Sequence, residues 1–200
     1  CRPMRCSDAV RPTLAAAIVL AWAAPVLAGP PYVTDDPAPT DHGHWEVYNF
    51  VGGSHVAGST AGESGLDLNY GAAPGLQLTL VVPAAYEASG GTHVGVGTVE
   101  IAAKYQLLHQ AEGSMRPDLA IFPRAFAPTA PDRFGSGRWG LLLPVWAQKD
   151  FGPWQVFGGG GYQLNPGPGE RNFWTGGLAV QRTVTDRLSL GAEIYRHTRD

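Results

Sequence analysis

Beyond its first few dozen residues this chain alternates apolar and polar residues in runs of about ten, separated by clusters of Gly, Ser, Pro and Asp. Period-two alternation dictates strands with one apolar and one polar face. Repeated at this length, it is the pattern of an antiparallel barrel that crosses an outer membrane, with lipid on one side and a wet lumen on the other. Strands are predicted near 44–53, 64–71, 75–84, 96–108, 117–127, 138–149, 153–163, 171–182 and 187–197. In the fourth, Val99, Ile101, Ala103, Tyr105 and Leu107 oppose Glu100, Ala102, Lys104 and Gln106. In the ninth, Leu188, Leu190, Ala192 and Ile194 oppose Ser189, Gly191 and Glu193. The first is ambiguous, because neither Trp45, Val47, Asn49 and Val51 nor Glu46, Tyr48 and Phe50 is cleanly polar.

Connection lengths point the same way. Tight gaps are expected at Ala72–Pro74, Asp150–Gly152 and Thr183–Asp186, with His109–Arg116 the longest of that set. Wider Gly-, Ser- and Pro-rich gaps alternate with them at Ser54–Glu63, Ala85–Gly95, Pro128–Gly137 and Asn165–Glu170. Short periplasmic turns and long external loops are the habit of outer-membrane barrels. Trp45, Tyr70, Trp139, Tyr162, Trp174 and Tyr195 fall near strand ends, where aromatic rings sit at headgroup level. The competing architecture is a soluble β-sandwich, in which the same apolar residues would pack against a second sheet. Glycines 158–161 either leave room in the lumen or mark a bend.

The N-terminus reads as an export signal over residues 1–28. Arg2, Arg5 and Arg11 precede the apolar run Leu14–Ala28, which ends in a small-x-small site and leads into Gly29, Pro30 and Pro31. The run is too short for a spanning helix and contains Pro25. Residues 29–43 are then expected as an extended N-terminal periplasmic segment and 44–200 as the barrel. Nine is an odd count, whereas single-chain bacterial barrels close with even numbers. Further C-terminal strands in a longer protein are therefore expected.

Both cysteines, Cys1 and Cys6, fall in the signal, which leaves no thiol for catalysis or metal binding afterwards. Without Arg2, Arg5, Arg11 and Asp8, the 14 basic and 17 acidic residues become 11 and 16, a formal charge of −5, which argues against nucleic acid as a partner. Asp35, Asp36, Asp41, His42 and His44 gather carboxylates and imidazoles within ten residues. They match no metal spacing of known geometry, and Pro37 and Pro39 keep the segment extended, so no metal and no cofactor is expected. The segment is expected to line the periplasmic mouth or cap the first strand. Gly-x-Ser-x-Gly is absent, and Gly95-Val96-Gly97 lacks the third glycine of a dinucleotide fingerprint. No catalytic residue is assigned. A barrel-embedded lipid or ester hydrolase remains as an alternative, as does a plugged structural barrel.

Charge facing lipid near the midplane costs roughly 2 to 4 kcal/mol for Lys or Arg. Mid-strand charges should therefore face the lumen. The candidates are Glu46, Asp67, Glu100, Lys104, Arg124 and Glu193, with Gln77, Gln106 and Gln155 beside them. They either plug the barrel with ion pairs or set the selectivity of a pore.

Tyr32-Val33-Thr34-Asp35-Asp36-Pro37 after Gly29-Pro30-Pro31, followed by His44-Trp45-Glu46-Val47-Tyr48, resembles the mature start of a proteobacterial family of outer-membrane transporters tied to the meta pathway of phenol degradation. Leu143-Pro144-Val145-Trp146-Ala147-Gln148-Lys149, Phe151-Gly152-Pro153-Trp154, Arg171-Asn172-Phe173-Trp174 and Gly191-Ala192-Glu193 look like further blocks in the same order. The resemblance implies a barrel in the outer membrane of a Gram-negative bacterium that passes small apolar or aromatic compounds passively. Its expected partners are outer-membrane lipid, a small-molecule solute and the barrel-assembly machinery. The family supplies no catalytic set to carry over.

Overall fold

A computed structural model describes residues 32–167 and 169–198. The expected export signal, and Gly29, Pro30 and Pro31 after it, lie outside the described residues. There are eleven strands: β1 Trp45–Val56, β2 Ser59–Ala73, β3 Leu76–Ala88, β4 Thr92–Val96, β5 Glu100–Leu108, β6 Asp118–Ile121, β7 Arg124–Phe126, β8 Gly140–Phe151, β9 Trp154–Leu164, β10 Phe173–Thr185 and β11 Leu188–His197. All belong to one antiparallel up-and-down sheet in the order β1-β2-β3-β5-β6-β8-β9-β10-β11, with β4 paired to β3 and β7 to β5 and β8.

The eleven strands make nine staves, because two staves are each broken once. β4 pairs with Ala84–Ala88 of β3 and β5 with Leu76–Val81, and the gap between them lies opposite Pro83, which has no N–H to give the ladder. β6 and β7 share a stave interrupted at Phe122 and Pro123, for the same reason. β1 and β11 are the two edges, so the sheet is open.

Among the described residues the sandwich alternative has no second sheet to pack against. Ile101, Tyr105, Leu188 and Leu190 are exposed, alongside Val47, Leu78, Leu80, Val145, Leu178 and Ile194. The first strand also resolves. Trp45 and Val47 lie opposite Tyr70 and Leu68 on the exposed apolar face, so Glu46, Tyr48 and Phe50 take the other.

The expected loop asymmetry is partly overturned. Ser54–Glu63 is not a long loop: β1 and β2 continue through it to a two-residue turn, Ala57 and Gly58, with φ of 49° and 82°. Two left-handed residues make the turn whose twist matches paired strands. β3 and β4 likewise pair across most of Ala85–Gly95. Glycine and serine content suggested loops where the chain forms hairpins, with Gly53 directly opposite Gly62. Among the described residues, the irregular connections that remain at this end are 127–139, 165–167 and 169–172. Of the aromatics, Tyr195 is also reassigned. It sits opposite Gly177, its hydroxyl against Thr175, on the face away from the apolar surface.

Candidate functional site

Directly opposed residues in a sheet share a face. From Glu46 the register passes through Asn69, Thr79, Ala102, Arg124, Leu142 and Gln163. From Asp67 it passes through Val81, Glu100 and Phe126. Gln77 opposes Lys104, Gln106 opposes Ala120, Gln155 opposes Gln181, and Glu193 opposes Ala179. All nine lumen candidates therefore lie on one face. Gln77, Glu100 and Lys104 are buried although the sheet has no second layer.

The chain's own N-terminal segment covers Gln77 and Lys104, and Glu100 is paired beneath with Arg124. Residues 32–43 do not stand apart from the sheet at one end but lie across its polar face as a strap. The backbone N–H groups of Val33 and Thr34 donate to the Glu193 carboxylate on β11. Asp35 accepts from Lys104 Nζ on β5 at 2.9 Å. The Thr40 backbone N–H donates to Gln77 Oε1 on β3 at 2.8 Å, and the Thr40 hydroxyl donates to Glu46 on β1. Gly43 N–H then donates to Gly71 O on β2. Thr34 and Asp35 are neighbours, yet their partners β11 and β5 are five strand spacings apart, about 24 Å along a flat sheet. Only a sheet rolled around the strap brings both within reach.

Several residues are shaped to this contact. A Cβ on Gly177 would fall 1.9 Å from Thr34 Oγ1, and one on Gly71 would fall 2.0 Å from the Asp41 carbonyl. Pro37 is fully buried, and Tyr32 packs on Phe157 with ring centroids 5.5 Å apart. Of the four glycines in β9, Gly159 and Gly161 face the strap side and Gly158 and Gly160 the apolar side. Gly159, at φ 155°, holds a backbone that side chains rarely adopt.

Two cations share one aromatic ring. Lys104 Nζ lies 5.0 Å and the Arg124 guanidinium 5.5 Å from the Phe122 centroid. Arg124 is held by its own wall, through two parallel bonds of 2.7 Å to Glu100. Lys104 is held by the strap. Phe122, Ala102 and Trp146 form a buried cluster beneath, and the Trp146 indole N–H has no partner among the described residues. Burial lifts the Asp36 carboxyl above its ordinary 3.8; Lys104 opposes that shift, while nearby Asp35 and Glu46 add to it.

The remaining candidates join smaller networks. Gln77 Nε2 donates to Asn69 and Thr79, Asn69 to Asp67, Gln106 to Asp118, and Gln181 to Gln155. Trp45 faces outward and stacks on Tyr70 at 4.7 Å, and Tyr162 stacks on Trp174 at 4.9 Å. At the end of the sheet with the long irregular segments, a cavity of about 310 Å³ is lined by Phe126, Phe173, Gln163, Asn165 and Arg138.

The clustered acids and histidines of the N-terminal segment do not converge. Asp35 serves Lys104, Asp36 accepts from the Ala38 N–H, and Asp41 and His42 are exposed while His44 reaches back to the His42 carbonyl. Among the described residues no three His, Cys, Asp or Glu side chains are placed to hold a metal ion. The His55 ring meets a threonine hydroxyl and the His197 ring a carbonyl, so neither forms the Ser-His pair that a hydrolase needs. Phe122, Trp146, Asn69 and Thr79 were not anticipated as site residues. Strand parity could have found Asn69 and Thr79, which share a face with Asp67 and Gln77. Set against known proteins, the chain matches no family model and no curated sequence.

Proposed function

We propose that this chain forms the wall of an outer-membrane β-barrel channel for small solutes, with the strap as its lumenal plug. The observation that carries this reading is the contrast between the faces of one rolled sheet. One exposes a band of Val, Leu and Ile to the surroundings. The other buries Glu100 and Lys104, and half-buries Arg124 paired with Glu100, around a segment of the same chain. In water that arrangement is inside out, whereas in a bilayer each face has its proper solvent. The resemblance to outer-membrane transporters of phenol degradation favours small apolar or aromatic compounds as the solute, and fits export by the N-terminal signal and insertion by the barrel-assembly machinery. The cavity beside Phe126 and Phe173 would be the entry vestibule.

The test is reconstitution in planar bilayers and liposomes, with and without residues 32–43. Discrete conductance and uptake of phenol that increase when the strap is removed would support the channel. Sealed membranes with both versions would overturn it. A second reading, a structural barrel closed by design, is favoured by Pro37, Phe122 and Trp146 filling the space around the strap. It predicts sealing with the strap present at every solute concentration tried.

A further inference from the structure

Lys104 and Arg124 rest on the same ring but differ in who neutralises them. Arg124 has a permanent partner, Glu100, on the adjacent strand of the same wall. Lys104 is buried, and among the described residues its only carboxylate within bonding distance comes from the strap, through the single contact between Asp35 Oδ1 and Nζ. The Lys104 Nζ is also 3.4 Å from the Ala38 carbonyl, again on the strap. The wall therefore presents a cation it does not itself satisfy. A second donor nearby is short of an acceptor: Trp146, packed with Phe122 in the same buried cluster, leaves its indole N–H unpaired among the described residues. An ammonium over an aromatic ring, with a spare N–H in the underlying cluster, suits a small carboxylate attached to an apolar body.

We propose that Lys104 is the anion-binding step of the lumen, that Asp35 occupies it as a tethered stand-in, and that small free carboxylates compete with Asp35 and release the strap. This rests on the channel reading for its purpose but not for its chemistry. The strap is suited to leave. Apart from one bridge, His42 to Gly71, it has no strand ladder, and it is held by separate side-chain and capping contacts along its length.

Thr34 is buried in the docked strap, and Thr34→Cys is nearly isosteric. In a chain whose Cys1 and Cys6 are replaced by serine, folded in lipid vesicles, maleimide labelling of that thiol reports strap release. Sodium acetate should speed labelling in a saturable way, whereas sodium chloride at equal ionic strength should not. Lys104→Gln should speed labelling about tenfold without acetate, the loss expected for one charge-assisted hydrogen bond, and should abolish the acetate response. Asp35→Asn should speed labelling while lowering the acetate concentration needed. Thr40→Cys gives a second reporter at the far end of the strap. If a substituted chain fails to fold, the acetate and chloride titrations of Thr34→Cys alone still decide. Equal labelling in the two salts overturns the proposal, and solute flux measured on the same vesicles would leave the channel standing without it. An acetate response in vesicles that pass no solute upholds the Lys104 site and removes the channel.

Discussion

The two faces of this sheet are made by the same strands, residue by residue, and hold opposite chemistry. On β5, Ile101 and Tyr105 stand exposed on one side while Glu100 and Lys104 are buried on the other. A soluble protein would invert that assignment. The difference teaches that a segment threaded along a rolled wall supplies the burial that a second sheet supplies in a sandwich. The inner face is held by charge pairing and hydrogen bonds to that segment together with the small apolar cluster of Phe122, Ala102 and Trp146, whereas the outer face meets only its solvent.

Breaking the inner side should cost most. Arg124→Ala leaves Glu100 charged, buried and unpaired, and should lower stability by roughly 3 to 5 kcal/mol in urea unfolding of the vesicle-folded chain. A loss under 1 kcal/mol would mean that water reaches Glu100 freely. Ile101→Arg probes the outer side. It should cost roughly 2 to 4 kcal/mol in lipid and next to nothing in a sheet whose exposed face meets water, which makes it the sharper test of the two solvents. Gly177→Val sets a side chain against Thr34 and should cost about 1 to 3 kcal/mol. Hydrogen exchange should then show lost protection at residues 33–35 while the strand ladder keeps its own.

The smallest effect is in pH. The docked strap holds the Asp36 proton more tightly than a free segment does, since its carboxyl lies above 3.8. That contribution to docking is complete below 3.8 and fades as pH rises through the raised value. Asp36→Asn should remove this part of the pH dependence of strap protection. An unchanged profile in the variant would mean that the slope does not come from Asp36.

Strand parity made the faces legible in advance. Glu100 and Lys104 differ by four residues, Asp67 and Asn69 by two, and period-two arithmetic suffices to put each pair on one side. Period-two spacing also puts Phe122 on the inner side with Ala120 and Arg124, across the interruption at Pro123; it escaped because only charged and amide side chains were singled out on that face. The strap escaped for a different reason. Nothing periodic marks Tyr32 to Asp41, and two prolines fit an extended segment anywhere. Its traces were on the other strands, as glycines at 71, 177 and 191 where an inward side chain would strike it. The hairpin at Ala57 and Gly58 was hidden by composition, because Gly52, Gly53 and Gly62 weaken the alternation without ending the ladder.

Asp35 is joined to the wall it neutralises by only ten residues, up to Trp45 where β1 begins. A ligand leashed that closely presents itself at an effective concentration on the order of millimolar, whatever its intrinsic grip. Any diffusing rival must match that figure before it prevails. The leash length thus sets a threshold: under the proposed competition, trace carboxylates would leave the strap docked, and only an abundant supply would displace it.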